Sequence, residues 1–495
     1  MNYYMNLLIS NSLFGELIVK QKLLYSLTML LIIMMSACGG GSSGSNRDDN
    51  VVIEGESEEG NSEEGNTEEG EGETEQGNGS RTSPFIVSTD QTFTDVRDTL
   101  NATDSVIDSY PPNTLDESGP EYYYQIELTK WTIISASIAY PEPVGTDIDL
   151  HLVHSIDADN PGLIERGHYD VRAALPPGTY YLVMDTYVED GIPRPGEYNL
   201  SIEFSQINQP ACVEGESCYF NEYILMAVEY LYTNYGLLGY SINSALTHDI
   251  EYGDYGTIYQ IGDDEKTMCV AAALEVMLTA MQIYADETGD ITVYDFLPIS
   301  SWQRLGENDF RGHVWVSHEY NSYGSADALR NFGMGEIVPF ESLLPGSFIN
   351  INRTTGSGHA VVFIAFIDVD GNEYETYPDD ATIIGFKYFS SQGGYDYGEG
   401  GLDYRYAIFS DFHTEDFCQQ YPLSCDDSNI PIMPYKRDIN IIYSLNQHYL
   451  NTGMMFHPVT WETSSTTNPQ NFVIPQAYDN IISDPKLFDG WTIDD

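Results

Sequence analysis

The sequence predicts a multidomain protein in which an all-β sandwich is followed by an α+β domain, and three observations lead there. At 495 residues the chain exceeds what one core of roughly 100–200 residues covers. From about Pro84 to Ser205, short strand-like runs are broken by Pro, Gly and Asp at intervals typical of a β-sandwich. Farther on, an apolar segment of helical period opens at Cys269 and is followed by apolar runs of strand length. A hydrophobic fraction of 42% with 38 Tyr and 20 Phe is enough to build such cores. Lys and Arg number 19 against 77 Asp and Glu, a net charge of −58 that repels a nucleic-acid backbone and excludes DNA and RNA as partners.

The first element is an address. Lys20 and Lys22 precede the apolar run Leu23 to Met35, which leads into Ser36-Ala37-Cys38 and Gly39-Gly40-Gly41. A run of about 13 residues is shorter than the ~20 a membrane-spanning helix needs and reads as an export signal. Small residues immediately before a Cys make the segment resemble a bacterial lipoprotein signal with its lipobox. The resemblance implies a signal peptide over 1–37, lipid modification of Cys38 and, with Gly39 following the Cys, an outer-membrane or cell-surface location. Residues 38–83 are Gly, Ser, Asn and Glu with the near-repeat EEGNS, EEGNT, EEGEG. Like charges extend such a chain, so the segment reads as a solvated tether.

In the region 84–205 the strand-like runs are YYYQIEL, WTIISASIAY, DIDLHLV, GTYYLVMDTY and EYNLSIEF. Asp147 and Asp149 alternate on one strand face, a weak calcium candidate against the plainer reading of a solvated acidic edge. His151 and His154 read as structural. The order GPEYYYQIEL, TDIDLHLV, LPPGTYYLVMD, GEYNLSIEF resembles the bacterial pre-peptidase C-terminal domain. That implies a jelly-roll-like accessory module of a secreted hydrolase, without chemistry of its own.

Cysteine arithmetic then isolates one thiol. In an oxidising compartment Cys212 and Cys218, six apart in ACVEGESC, and Cys418 and Cys425, seven apart in CQQYPLSC, look like two short disulfides. With Cys38 assigned to lipid, Cys269 remains, in KTMCVAAALEVMLTAMQIY, where Val270, Ala273, Leu274, Met277, Leu278 and Met281 recur at helical spacing. A thiol at a helix start meets unbonded amides and the positive end of the dipole, which favour thiolate. The alternative is a buried Cys acting as a small hydrophobe.

Among the ten histidines, His359 stands at the mouth of the strand-like HAVVFIAFID, after the turn-rich NRTTGSG. A hairpin with the run Ala381 to Ser390 sets position 359 opposite roughly 390, which brings Ser390, Ser391 or Gln392 across from the imidazole. A side-chain amide there can accept a hydrogen bond from one ring nitrogen and turn the other towards the thiol. His313 and His318 flank VWVS, which reads as a strand, and are expected at surface or rim positions.

From about Tyr219 to Tyr406 the chain resembles the NlpC and CHAP branch of the papain-like cysteine peptidases and amidases. The residues carrying this are the thiol opening a helix in TMCVAAALEV, the PGSFI turn and strand, GSGHAVVFI, and the polar end of FKYFSSQ, in the family's order Cys, His, polar residue. The resemblance implies a papain-like domain over 206–425, with Cys269 as nucleophile, His359 as base and acid, and Gln392 as the residue orienting His359, Ser390 being its substitute. The family closes its triad with His, Asn, Asp or Glu, so Gln or Ser is a departure. Gln260, nine residues before the thiol, is the candidate side-chain oxyanion donor, and the amide of Cys269 the second.

The expected activity is hydrolysis of amide bonds in peptidoglycan stem peptides or protein through a thioester, by a monomer that needs no metal or cofactor. The alternative is a catalytically silent surface-binding lipoprotein that keeps the fold as a scaffold. Residues 426–495 form a C-terminal extension, with one possible helix or strand near INIIYSLNQHYL and no assigned role.

Overall fold

The computed structural model describes residues 77–409 apart from 113, 140–144, 214–216, 264, 316–321, 354–357, 369, 382 and 394–399, together with 439–442 and 447–461. Cys38, the signal segment, the tether up to residue 76, and Cys418 and Cys425 lie outside the described residues. The chain divides into two compact units at Gln206/Ile207.

The first unit is a two-sheet β structure. Its main strands are β1 (Phe85–Val87), β2 (Phe93–Asp98), β3 (Tyr122–Leu128), β4 (Thr132–Ile138), β5 (Ile148–Val153), β6 (Leu163–Gly167), β7 (Asp170–Leu175), β8 (Gly178–Thr186) and β9 (Glu197–Gln206). One sheet runs β1-β3-β8-β5-β6 and the other β2-β9-β4-β7. Alternation sends Tyr124 and Ile126, Leu150 and Leu152, and Leu182 and Met184 from the first sheet against Ile134, Ala136, Leu200 and Ile202 from the second. The opposite face of the first sheet is also covered: Ile107 and Tyr110, from the stretch between β2 and β3, pack on Tyr123, Val153 and Val183. The unit begins earlier than residue 84. Ser80 is buried, the Gly79 amide donates to Ser83 O and the Tyr123 amide to Gly79 O, so the end of the expected tether is tied to β3.

The second unit packs helices on a mixed sheet. Its main elements are α1 (Asn221–Tyr235), α2 (Cys269–Thr288), α3 (Ile299–Gln303), α4 (Phe310–Val314), α5 (Ser325–Asn331), β10 (Gly335–Ile337), β11 (Phe348–Arg353), β12 (Gly358–Asp368), β13 (Ile383–Gln392), β14 (Gly401–Phe409), β15 (Ile439–Ile442) and β16 (Gln447–Met455). The sheet order is β10-β16-β11-β12-β13-β14-β15. Helix α2 is long and apolar enough to cross a membrane, yet its side chains fill the unit's interior. It ends at Gly289, whose φ of 72° gives the left-handed cap that returns its N–H to Ala285 O.

Two expectations change here. The stretch read as a separate C-terminal extension supplies a central strand: β16 lies between β10 and β11, pairing Gly335 with Met455 and Phe348 with Gly453. The segment read as a strand around VWVS is in part helix, since α4 takes up Phe310–Val314. His313 is buried rather than at a rim, its Nε2 donating to Glu307 O at 2.7 Å and its Nδ1 accepting from Asn331 Nδ2 at 3.2 Å. His318 lies outside the described residues.

Strand alternation sorts the sheet's two sides. Ile349, Ile351, Val361, Phe363 and Tyr388 share one side and pack with Phe340 and Leu343. Asn350 and Asn451 point to the other side, where their Oδ1 atoms accept the Ser325 and Asp327 amides at the start of α5. Phe340 is fully buried, with ring centroids at 5.2 Å from Phe366 and 5.7 Å from Phe386. Phe340→Ala therefore removes the ring that plugs this cluster, and a loss of about 3–5 kcal/mol is expected in denaturant unfolding of the second unit.

Candidate active site

Cys269 is the first residue of α2. Met268 precedes it in extended conformation without a side-chain cap, and the first bond from the helix interior is Ala272 N–H to Met268 O at 2.8 Å. The amides of residues 269–271 therefore precede the intrahelical ladder and carry the positive end of the dipole. The thiol belongs to a small cluster with Ala245, Met268 and Ala271, flanked by Tyr240, Val270 and Trp315, and the residue is 2% exposed. Thr267 anchors the entry to the helix: its carbonyl accepts from Ser391 Oγ at 2.8 Å and its Oγ1 from the Leu246 amide at 3.2 Å.

His359 is the second residue of β12 and pairs with Ile351 of β11. The β12–β13 register runs Phe363 to Tyr388 and Val362 to Phe389, and carried on unchanged it sets His359 level with Gln392. The ladder stops at Val362, where the Ser390 hydroxyl donates to Ala360 O at 2.7 Å in its place. Tyr388 joins the pair. Its ring meets the His359 ring edge-on with centroids 5.5 Å apart, and its hydroxyl donates to Gln392 Oε1 at 2.9 Å.

The structure thus brings His359, Tyr388 and Gln392 together, and it changes the bonding expected of them. The Gln392 carbonyl accepts from tyrosine, while Gln392 Nε2 is buried without a hydrogen-bond partner among the described residues. A flip of that amide would let Nε2 donate to the Tyr388 oxygen and turn Oε1 outward. Ser390 is committed to the β12 backbone. Gln260 lies in a loop where its Nε2 donates to Asp263 O at 2.7 Å and its amide to Asp249 Oδ1 at 2.7 Å, so the donor expected for an oxyanion is held by its own turn.

Alternation separates Ser391 from Gln392. Ser391 points to the side of the α2 entry, where it bonds Thr267 O, and Gln392 to the side of Tyr388. Tyr388 and the Ser391–Thr267 link were missed from sequence. Their signal lay in the spacing along one strand, with Tyr388 four residues before Gln392.

In the first unit, Asp147 and Asp149 do not form a solvated edge. Asp149 is 2% exposed, bonded through Oδ2 to the Arg166 guanidinium and lying 3.1 Å from His168 Nδ1 through Oδ1. Beneath it, burial and the neighbouring Asp149 push the Glu117 carboxyl up to about 8, while burial and the Arg166 charge bring the His151 imidazole down to about 3. Cys212 and Cys218 form the expected disulfide.

No family model matches the chain, and no curated protein matches it. Solved structures do. A periplasmic inhibitor of g-type lysozyme from Aeromonas hydrophila, PliG, is 11% identical over 25% of this chain and 94% of its own, with a TM-score of 0.17. The pre-peptidase C-terminal domain of the Bacillus anthracis collagenase is 19% identical over 24% of this chain and 92% of its own, with a TM-score of 0.15. Salmonella Typhimurium PliG is 15% identical over 25% and 97%, with a TM-score of 0.15. The chain is a β-rich multidomain protein, and one of its structural neighbours is a pre-peptidase C-terminal domain.

Proposed function

We propose that this chain is an exported cysteine hydrolase of papain-like, NlpC/CHAP-like fold, cleaving amide bonds in peptidoglycan stem peptides or protein while anchored to the outer membrane through Cys38. The carrying observation is Cys269 as the first residue of α2, ahead of the helix ladder, with its entry tied to the strand that ends beside His359. In this reading His359 accepts the thiol proton. The thiolate attacks the amide carbonyl, and the helix-start amides receive the oxyanion. The protonated imidazole then gives its proton to the departing amine, and water activated by His359 hydrolyses the thioester. Tyr388 and Gln392 are positioning residues for the imidazole. The disulfide Cys212–Cys218 supports an oxidising compartment. The first unit serves as a β-sandwich accessory module resembling the pre-peptidase C-terminal domain.

A second reading is a silent scaffold that binds surface ligands, favoured by the deep burial of the thiol. Incubating the full chain with purified cell wall and, separately, with an unstructured protein decides between them. New amino termini released from either substrate support the hydrolase and name its substrate class. No release from both contradicts it.

A further inference from the structure

We propose that the outer face of the first unit's β1-β3-β8-β5-β6 sheet holds a site for a divalent transition metal of the zinc class, ligated by Glu117, Asp149 and His151. The sheet register assembles it. Leu150 and Leu152 point into the sandwich core, so Asp149 and His151 point outward. Across β5–β6, His151 is paired with Arg166, and across β5–β8, Asp149 is paired with Asp185. The stretch between β2 and β3 closes over this face and contributes Tyr110 and Glu117. The ligand atoms of Glu117, Asp149 and His151 all lie within 4.8 Å of one another, with His151 Nε2 3.7 Å from Glu117 Oε1.

Hydrogen bonding at this cluster is unfinished. His151 is fully buried and stacked on Tyr110 with ring centroids 3.7 Å apart and planes 6° off parallel. That stacking fixes the ring and leaves its edge for partners, yet neither ring nitrogen has a hydrogen bond among the described residues, nor does Glu117 Oε2. A buried imidazole ordinarily donates through one nitrogen and accepts or ligates through the other. Of the neighbouring carboxylates, Asp185 is supplied at both oxygens and Glu121 at Oε1. Glu121 accepts from the Val106 and Ile107 amides and Tyr123 Oη, and Asp185 from Tyr110 Oη and the Thr186 amide. The deficit spans Glu117 Oε2 and both nitrogens of His151, with Glu121 Oε2 and Arg166 Nε beside them among the described residues.

Charge points the same way. Glu117, Glu121, Asp149 and Asp185 are all buried, and the cation at the cluster is Arg166, whose Nη2 touches both Glu117 Oε1, at 3.2 Å, and Asp149 Oδ2. That guanidinium bridges the two carboxylates as a bound metal would, and its side chain is 24% exposed, so it has a way out to solvent. One imidazole nitrogen with two carboxylate oxygens is a donor set for zinc-class ions, whereas calcium takes oxygen ligands. Asp149 Oδ1 meets His168 Nδ1 at 3.1 Å, a second contact of the kind that orients a ligating carboxylate. His168 also forms an outer group with Asp147 and Asp149, but its Nδ1 is already satisfied by both carboxylates.

The test uses the full chain stripped with EDTA and titrated with Co2+ alone, followed by competition with Zn2+ and Ca2+. The site predicts one Co2+ per chain, with the visible absorption of a four- or five-coordinate ion, displaced by Zn2+ and indifferent to Ca2+. His151→Ala should weaken binding at least about 100-fold. His168→Ala, which removes the contact orienting Asp149, should weaken binding about tenfold, less than loss of the ligand His151. Arg166→Met should tighten binding roughly tenfold by removing the competing cation. Should His151→Ala fail to fold, Glu117→Gln carries the same expectation as the ligand deletion. The proposal is overturned by absence of the absorption band, by a band that survives loss of His151 or Glu117, by displacement with Ca2+, or by Arg166→Met leaving affinity unchanged or weaker.

Discussion

Cys269→Ala lowers amide hydrolysis by the full chain by about 10^4-fold or more, because the substitution removes the atom that forms the thioester and leaves only binding and oxyanion contacts. The fold should tolerate the change. Ala is the best helix former, and the site already packs Ala245 and Ala271 around the thiol, so unfolding free energy should move by about 1 kcal/mol or less. The separation of these two effects is the informative part. A loss of turnover with unchanged thermal unfolding identifies the sulfur as reacting, while parallel loss of both would mark Cys269 as a packing residue. Turnover by purified variant and wild type, measured beside calorimetric unfolding, checks this.

Ending the chain after Cys425 abolishes folding of the second unit. The truncation deletes β15 and β16, and β16 is an interior member of the sheet between β10 and β11. Leu450, Asn451 and Thr452 are fully buried there, and Met454 is nearly so. Without the strand, Phe348, Ile349 and Ile351 of β11 lose a neighbour, and the Val338 amide and carbonyl lose the Thr452 carbonyl and hydroxyl they bond. A row of ladder hydrogen bonds and an apolar face would be exposed together, a cost well beyond the ~5–15 kcal/mol margin of a typical domain when the lost core contacts are included. Limited proteolysis should then degrade the chain beyond Ile207 while sparing the first unit. A protease-resistant second unit in the truncated chain would contradict the architecture described here.

That strand also shows where sequence reading fails and why. QHYLNTGMM carries no clean alternation, because two of its interior positions are polar by requirement: Asn451 caps the Asp327 amide and Thr452 bonds Val338 O. Hydrophobic patterning cannot report burial that is satisfied by hydrogen bonds. VWVS fails for the opposite reason, alternating like a strand, while His313 sits in the buried helix α4 with partners from the preceding turn, Glu307, and from the end of α5, Asn331. Where side chains obey the period, the reading is close. YYYQIEL is β3, HAVVFIAFID lies within β12, and the helix predicted to open at Cys269 does so.

The candidate site was legible in its members more than in its bonds. Hairpin symmetry brings positions near 390 opposite His359, and the register carried from Val362 selects Gln392. That Gln392 would be engaged by Tyr388, and that Ser390 would turn to the Ala360 carbonyl, depends on where the β12–β13 ladder breaks off, which no pairing argument reveals.

The most direct measurement is the rate at which a thiol-directed electrophile labels Cys269 in the native full chain as a function of pH, in wild type and in His359→Ala. The hydrolase account predicts rapid labelling that persists well below the ordinary thiol range near 8.5, as imidazole and helix dipole sustain the thiolate, and a fall of about tenfold or more at neutral pH when His359 is removed. Slow labelling that follows an ordinary thiol and is indifferent to His359 would contradict it.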